Sequence, residues 1–190
     1  GYFHSYKYFD FYFHKIADLI QLRQQIKIVR DNNKELLSDD YNISMHFRVG
    51  DYKNMQAHHP LMPYKYYYNS LKYLLKVARA QKMKVIYFCE KEDTDFVNET
   101  INKLKLSFTN LEFIKAEDNI EDWEQMLLMS CCDSNIIANS SFSWWSAYFN
   151  DNQKKIVCYP NVWFGRAMGE SHSDISDLIP NGWKKIDVRE

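Results

Sequence analysis

His46, Arg48, Gly50 and Asp51 fall within one heptapeptide, His46-Phe47-Arg48-Val49-Gly50-Asp51-Tyr52, whose spacing carries the sharpest chemical signal in the chain. Side chains of an extended strand alternate between faces, so His46 and Arg48 share one face and Gly50 ends the strand. An arginine so placed can grip a diphosphate through two parallel N–H donors, which a lysine cannot reproduce. Asp51 then orients that guanidinium or receives a hydroxyl. A purely structural alternative makes His46, Arg48 and Asp51 a buried ion-pair cluster.

Three further constellations bear on chemistry. In Asn139-Ser140-Ser141-Phe142-Ser143-Trp144-Trp145 a strand runs into hydroxyl residues at a helix start. Ser140 or Ser141 can cap that helix, and free N–H groups there make an anion site. The first turn of another helix holds Glu121, Asp122 and Glu124. Such carboxylates complement the helix dipole, and one of them can also accept two parallel N–H donors from a guanine edge. Asp93-Thr94-Asp95 matches the D-x-D pattern of metal-dependent glycosyltransferases and equally an ordinary helix N-terminus. His58-His59-Pro60 reads as a loop, either solvated or lining a cleft. No P-loop, no G-x-S-x-G elbow and no Cys/His nucleophile arrangement occurs.

Positioning these residues requires alternating strands and helices. Strand-like runs cover 42–47, 84–89, 111–115, 135–138 and 155–159. Helical spacing covers 64–80, 94–106, 121–132 and 141–150, with Tyr67, Leu71, Leu74, Leu75 and Ala78 on one face of the first. The expected fold is therefore α/β, a Rossmann-like parallel sheet of about five strands with helices on both faces. Ligands of such sheets bind beyond the carboxyl ends of the strands, which points to 48–52, 90–95 and 139–143. The dinucleotide signature G-x-G-x-x-G is absent after the first strand. Residues 1–40 differ: an aromatic-dense start and one helix over 16–29 read as a linker or the tail of a preceding domain, with the Rossmann-like domain over 41–190.

Composition narrows the functional classes. The chain has 190 residues, 46% of them hydrophobic, enough for a packed core, and a net charge of -1 without a basic face, so nucleic-acid binding is disfavoured. Aromatic residues reach 16%, which suits sugar or base clefts and equally an aromatic core. None of the four cysteines is in C-x-x-C spacing, so buried reduced thiols are expected rather than zinc or disulfides. The sequons at Asn42 and Asn139 fall in or beside strand-like runs. With no signal peptide pattern and no apolar run of membrane-spanning length, a cytoplasmic or peripheral location is expected.

The heptapeptide resembles the H-x-R-R-G-D-Y motif of the α-1,2-fucosyltransferases, glycosyltransferase family 11. Four more segments resemble that family in the same order: Gly1 to Phe9, Trp123 to Ser130, Asn135 to Trp145, and Asp177 to Trp183. The resemblance implies the C-terminal half of a GT-B-like enzyme. It would move L-fucose from GDP-fucose to a galactose-type hydroxyl of a glycan, in α-1,2 linkage, with inversion and without an essential metal or other cofactor. Arg48 should contact the donor phosphates with His46 beside it, while Asn139, Ser140, Ser141 and Ser143 line the phosphate or fucose pocket. Asp51 is the nearest candidate for the general base. Val49 stands where a second arginine is usual, on the strand face opposite Arg48. Gln125 stands where an aspartate is common, leaving Glu124 as the candidate for base recognition, and Cys89-Glu90-Lys91 replaces a usual Ser-Asp-Asp. The partners implied are a nucleotide-sugar donor, a glycan acceptor and an N-terminal domain of the same protein. Two rival readings are a metal-dependent transferase using Asp93 and Asp95, and a non-catalytic nucleotide-sugar-binding module.

Overall fold

A computed structural model describes residues 5–37, 40–169 and 174–189. Among the described residues, six strands form one all-parallel sheet: β1 (Tyr41–His46), β2 (Met83–Phe88), β3 (Glu112–Lys115), β4 (Ser134–Ile136), β5 (Ile156–Pro160) and β6 (Lys184–Ile186). Their order is β3-β2-β1-β4-β5-β6, the doubly wound arrangement in which the chain changes direction between β1 and β4. The central strands β1, β2 and β4 are buried almost throughout because helices cover both faces of the sheet. Ile43 of β1 pairs with Val85 on one side and Ser134 on the other.

The crossover helices are α3 (Tyr64–Val77), α4 (Thr94–Ser107), α5 (Asp122–Ser130) and α6 (Ser141–Phe149). On one face Ile43, Met45, Phe47 and Val85 pack with Tyr66, Leu71 and Leu74 of α3 and Val97, Ile101 and Leu104 of α4. On the other, Ile86 and Phe88 pack with Leu127 and Leu128 of α5. A third cluster joins Ile137 and Val157 to Trp144 of α6 and to Trp163.

The expected strands and crossover helices are present within a few residues of their predicted limits, and β6, a three-residue edge strand, is added. The N-terminal helix is two: α1 (Phe13–Leu19) and α2 (Leu22–Asn32). They divide at Gln21, whose left-handed φ of 52° ends one helical path and starts another. Leu22 and Val29 of α2 are buried in the α5 cluster, so α2 forms part of the packing on that face.

Polar brackets fix the centre of the sheet. Asn135 Nδ2 donates to Ser44 Oγ at 2.7 Å and to the Met129 carbonyl at 2.8 Å, while Asn150 Nδ2 donates to Asn135 Oδ1 at 2.9 Å. β1, β4, α5 and α6 are thereby tied together without an orphaned amide. No helix among the described residues is long and apolar enough to cross a membrane.

Candidate functional site

The carboxyl ends of β1 and β4 lie side by side at the switch of strand order, and the turns that leave them build the site. After β1 the chain bends through a short 3-10 turn, Gly50–Asn54, with Gly50 at φ 28°. A Cβ at position 50 would stand 3.1 Å from a Glu90 carboxylate oxygen, so glycine serves both the backbone and the close approach. Asp93 anchors the bend: one carboxylate oxygen accepts from Gly50 N and the other from Lys53 Nζ, each at 2.7 Å. Its side chain is only 4% exposed. Asp93 thus serves as a structural latch with both oxygens engaged, while Asp95 is exposed on the first turn of α4.

Arg48 emerges from this bend with its fork divided between two carboxylates. Nη1 donates to Glu90 Oε1 at 2.7 Å and Nη2 to Asp51 Oδ1 at 2.5 Å. The guanidinium also lies over the Tyr52 ring, 5.1 Å from its centroid, a cation–π contact that fixes its plane. The side chain is partly exposed, so an anion can reach it. Asp51, itself exposed, holds the guanidinium of Arg48 through this contact. The sequence marks Glu90 as part of a strand-end region and of the segment in place of a family Ser-Asp-Asp, but carries no sign of its pairing with Arg48.

His46 lies on the Arg48 side of β1, as alternation requires, and both line one polar groove. Val49 is on the other side, buried with Phe47 in the α3–α4 core. Burial, and secondarily the charge of Arg48, push the His46 imidazole down to about 3; it is neutral and takes no part in the ion pair. Its Nδ1 is buried without a hydrogen-bond partner, a costly state unless something supplies one.

Opposite this wall stands the N-terminus of α6. Ser140 caps the helix, its Oγ accepting from Phe142 N at 3.3 Å. The groove holds about 390 Å³ and includes Ser140, Phe142, Glu90, Asp118, Asp122 and Gln125. Two predicted members are elsewhere. Ser143 is fully buried, its hydroxyl 3.3 Å from the Ser140 carbonyl and 3.5 Å from that of Ala138; it braces the helix start and does not line the pocket. Glu124 is off the groove wall because a helix turns about 100° per residue. Asp122 and Gln125 face the groove instead, with Gln125 Nε2 donating to the Ile120 carbonyl at 3.0 Å.

Ser141 and Asn139 open onto a second, larger cavity of about 710 Å³ on the β5 side. Its walls are mostly aromatic, among them Phe9, Tyr52, His59, Trp145 and Phe164. Two loops meet over it: Gly165 N donates to the His58 carbonyl at 2.7 Å and Ala167 N to that of Ala57 at 2.9 Å. Gly165 permits this closeness, since a Cβ there would stand 2.2 Å from the Ala57 carbonyl oxygen. His58-His59-Pro60 therefore belongs to a cavity wall. Residues 1–4 of the N-terminal family-like segment lie outside the described residues, but Phe9 of the same segment stacks on Trp145 at 4.9 Å. The aromatic richness of residues 5–9 was the available sign that this segment reaches the site.

All cysteines among the described residues are free, and Cys89, Cys132 and Cys158 are buried. Burial pushes the Cys89 thiol up to about 11 and that of Cys158 up to about 12, which makes them poor nucleophiles.

Comparison with known proteins adds to this geometry. Residues 1–175 match the model of glycosyl transferase family 11. An alpha-1,2-colitosyltransferase of Escherichia coli is 31% identical over 149 residues, covering 77% of this chain and 48% of that protein. The O-antigen biosynthesis glycosyltransferase WbnK of Escherichia coli is 30% identical over 153 residues, covering 77% of this chain and 46% of that protein. The chain thus spans about half the length of the curated relatives it matches.

Proposed function

The chain belongs to glycosyl transferase family 11, and on that premise we propose that it is the donor-binding half of an inverting fucosyltransferase, with GDP-fucose as donor and a galactose-type glycan hydroxyl as acceptor. The observation that carries this reading is the placement of Arg48. Its fork is held at the β1–β4 switch by Glu90 and Asp51, in one groove with the capping residue of α6. Phosphate oxygens would take over N–H donors now held by carboxylates, while the N–H groups and positive end of α6 face the same anion.

The nucleoside would then extend toward His46, Asp122 and Gln125, where His46 Nδ1 gains a ribose or base partner. In the transfer, the oxygen of the acceptor hydroxyl attacks the anomeric carbon and gives up its proton to a base. The bond from that carbon to the phosphate oxygen breaks, and its electron pair leaves with GDP. Arg48 and the α6 N-terminus stabilise the charge that develops on GDP. Asp51, engaged by Arg48, keeps the guanidinium aimed rather than taking the proton. The α-1,2 linkage is proposed in keeping with the name of the colitosyltransferase relative. The acceptor-side lobe is assigned to polypeptide outside this sequence.

The test is turnover of GDP-fucose by the full-length protein with Arg48→Ala. Loss of one preorganised charge contact in the transition state costs roughly 10²-fold or more in kcat. Such a loss with an unchanged melting temperature supports the reading. Near-normal turnover overturns it.

A further inference from the structure

We infer that His59, at the wall of the aromatic cavity, is the catalytic base that takes the proton of the acceptor hydroxyl. The inference rests on the donor-site reading above and adds the group that the transfer needs on the acceptor side.

An inverting displacement constrains where that base stands. The attacking oxygen and the leaving phosphate lie on opposite faces of the anomeric carbon, so the base is set apart from the groups that hold the phosphate. Asp51 and Glu90 are both engaged by the fork of Arg48, and Asp93 is closed by Gly50 N and Lys53 Nζ. His59 is set apart from Arg48 by the ring of Tyr52. That ring lies under the guanidinium, 5.1 Å from it, and stacks with the His59 imidazole at 4.9 Å. Arg48 lines the polar groove, His59 lines the cavity, and Tyr52 joins the two.

Among the described residues that line the cavity, His59 alone has a side chain that changes protonation near neutral pH, and no carboxylate joins it. Tyr52 does not compete: burial raises its phenol above the ordinary value, and its hydroxyl already donates to the Asn139 carbonyl at 3.2 Å. The imidazole is placed by its ring contacts, stacked on Tyr52 and tilted against Phe164 of the 163–168 loop at 6.0 Å. No hydrogen bond from a described residue occupies either ring nitrogen. The backbone beneath is fixed, with His59 N donating to the Met55 carbonyl at 2.8 Å and Gly165 N to the His58 carbonyl at 2.7 Å. Burial foremost, then the charges of His58 and Arg48, hold the imidazole below its ordinary 6.5, while Asp51 pulls the other way. These three and Tyr52 are the charged and titratable groups around it. The ring is therefore neutral at pH 7, with one nitrogen open to a proton. As the acceptor oxygen bonds to the anomeric carbon, its proton passes to that nitrogen, and the imidazolium returns it to water once the products leave.

The test uses the full-length protein with GDP-fucose as donor and lactose as acceptor, and compares the natural protein with His59→Gln, whose side chain does not titrate. Loss of a positioned base costs roughly 10²-fold or more in kcat, while the calorimetric affinity for GDP-fucose stays within about twofold. In the natural protein kcat rises with pH through a midpoint below 6.5 and then levels; in His59→Gln that rise is gone. His59→Asn, shorter by one methylene, behaves alike and separates the lost base from any disturbance of the loop by the longer amide. A kcat close to the natural one, or a lowered kcat that keeps the rise with pH, overturns the base assignment and leaves the donor site standing. Failure of the natural protein to bind GDP-fucose overturns the donor site and the base assignment together.

Discussion

Arg48 and His46 sit two residues apart on one strand face, yet their surroundings give them opposite electrostatic states. Arg48 is charged, partly open to solvent and held by Glu90 and Asp51. His46 is buried and neutral, with its imidazole pushed down to about 3. That depression links the fold to pH. The unfolded chain takes up a proton on His46 near its ordinary value of 6.5, and the folded chain does so only near 3. This stabilisation is therefore whole above pH 6.5 and is lost as the pH falls toward 3. At 1.36 kcal/mol per unit, the loss between pH 6.5 and 5 is about 2 kcal/mol. Melting temperature followed from pH 7 to pH 5 should fall by more in the natural protein than in His46→Gln, whose side chain does not titrate. Parallel curves for the two would show that His46 titrates in the fold near its ordinary value, without the depression that burial imposes.

At the level of elements, the bend after β1 matters as much as the residues it presents. Asp93 spans it by binding Gly50 N and Lys53 Nζ, so Asp93→Ala leaves a buried N–H and an ammonium without their partner. Stability should drop by about 2 kcal/mol, and GDP should bind more weakly because Arg48 loses its fixed origin. Adding a chelator to the natural protein should leave its melting temperature unchanged. A drop on chelation equal to that of the substitution would make Asp93 a metal ligand. Much of this level was legible in the sequence. The period of apolar residues gave the strands and helices, and alternation within β1 put Val49 into the core and Arg48 toward the groove. Helical phase was harder. Glu124 and Gln125 are neighbours in sequence, but only packing of α5 against the sheet decides which one meets the groove, and it is Gln125. The placement of Ser143 is hidden for a similar reason. A run of serines at a helix start does not reveal that the third one turns inward to the Ser140 and Ala138 carbonyls.

Across the whole molecule, the strand order makes one crevice where the β1 and β4 turns diverge, and residues distant in sequence converge on it. Glu90 reaches Arg48 over 42 positions, and Phe9 reaches Trp145 from the N-terminal segment. Contacts of this range leave little trace in local sequence pattern: there Glu90 reads only as part of a strand end and of the segment in place of a family Ser-Asp-Asp, and residues 1–40 read as a linker or the tail of a preceding domain. The donor site proposed at this crevice, centred on Arg48, is tested by calorimetric titration of GDP-fucose into the full-length protein and its Arg48→Lys variant. Lysine keeps the charge and loses the planar fork. With the diphosphate on Arg48, affinity falls by about tenfold or more in the variant while the melting temperature stays unchanged. Equal affinity in the two proteins would contradict it and move the donor away from Arg48.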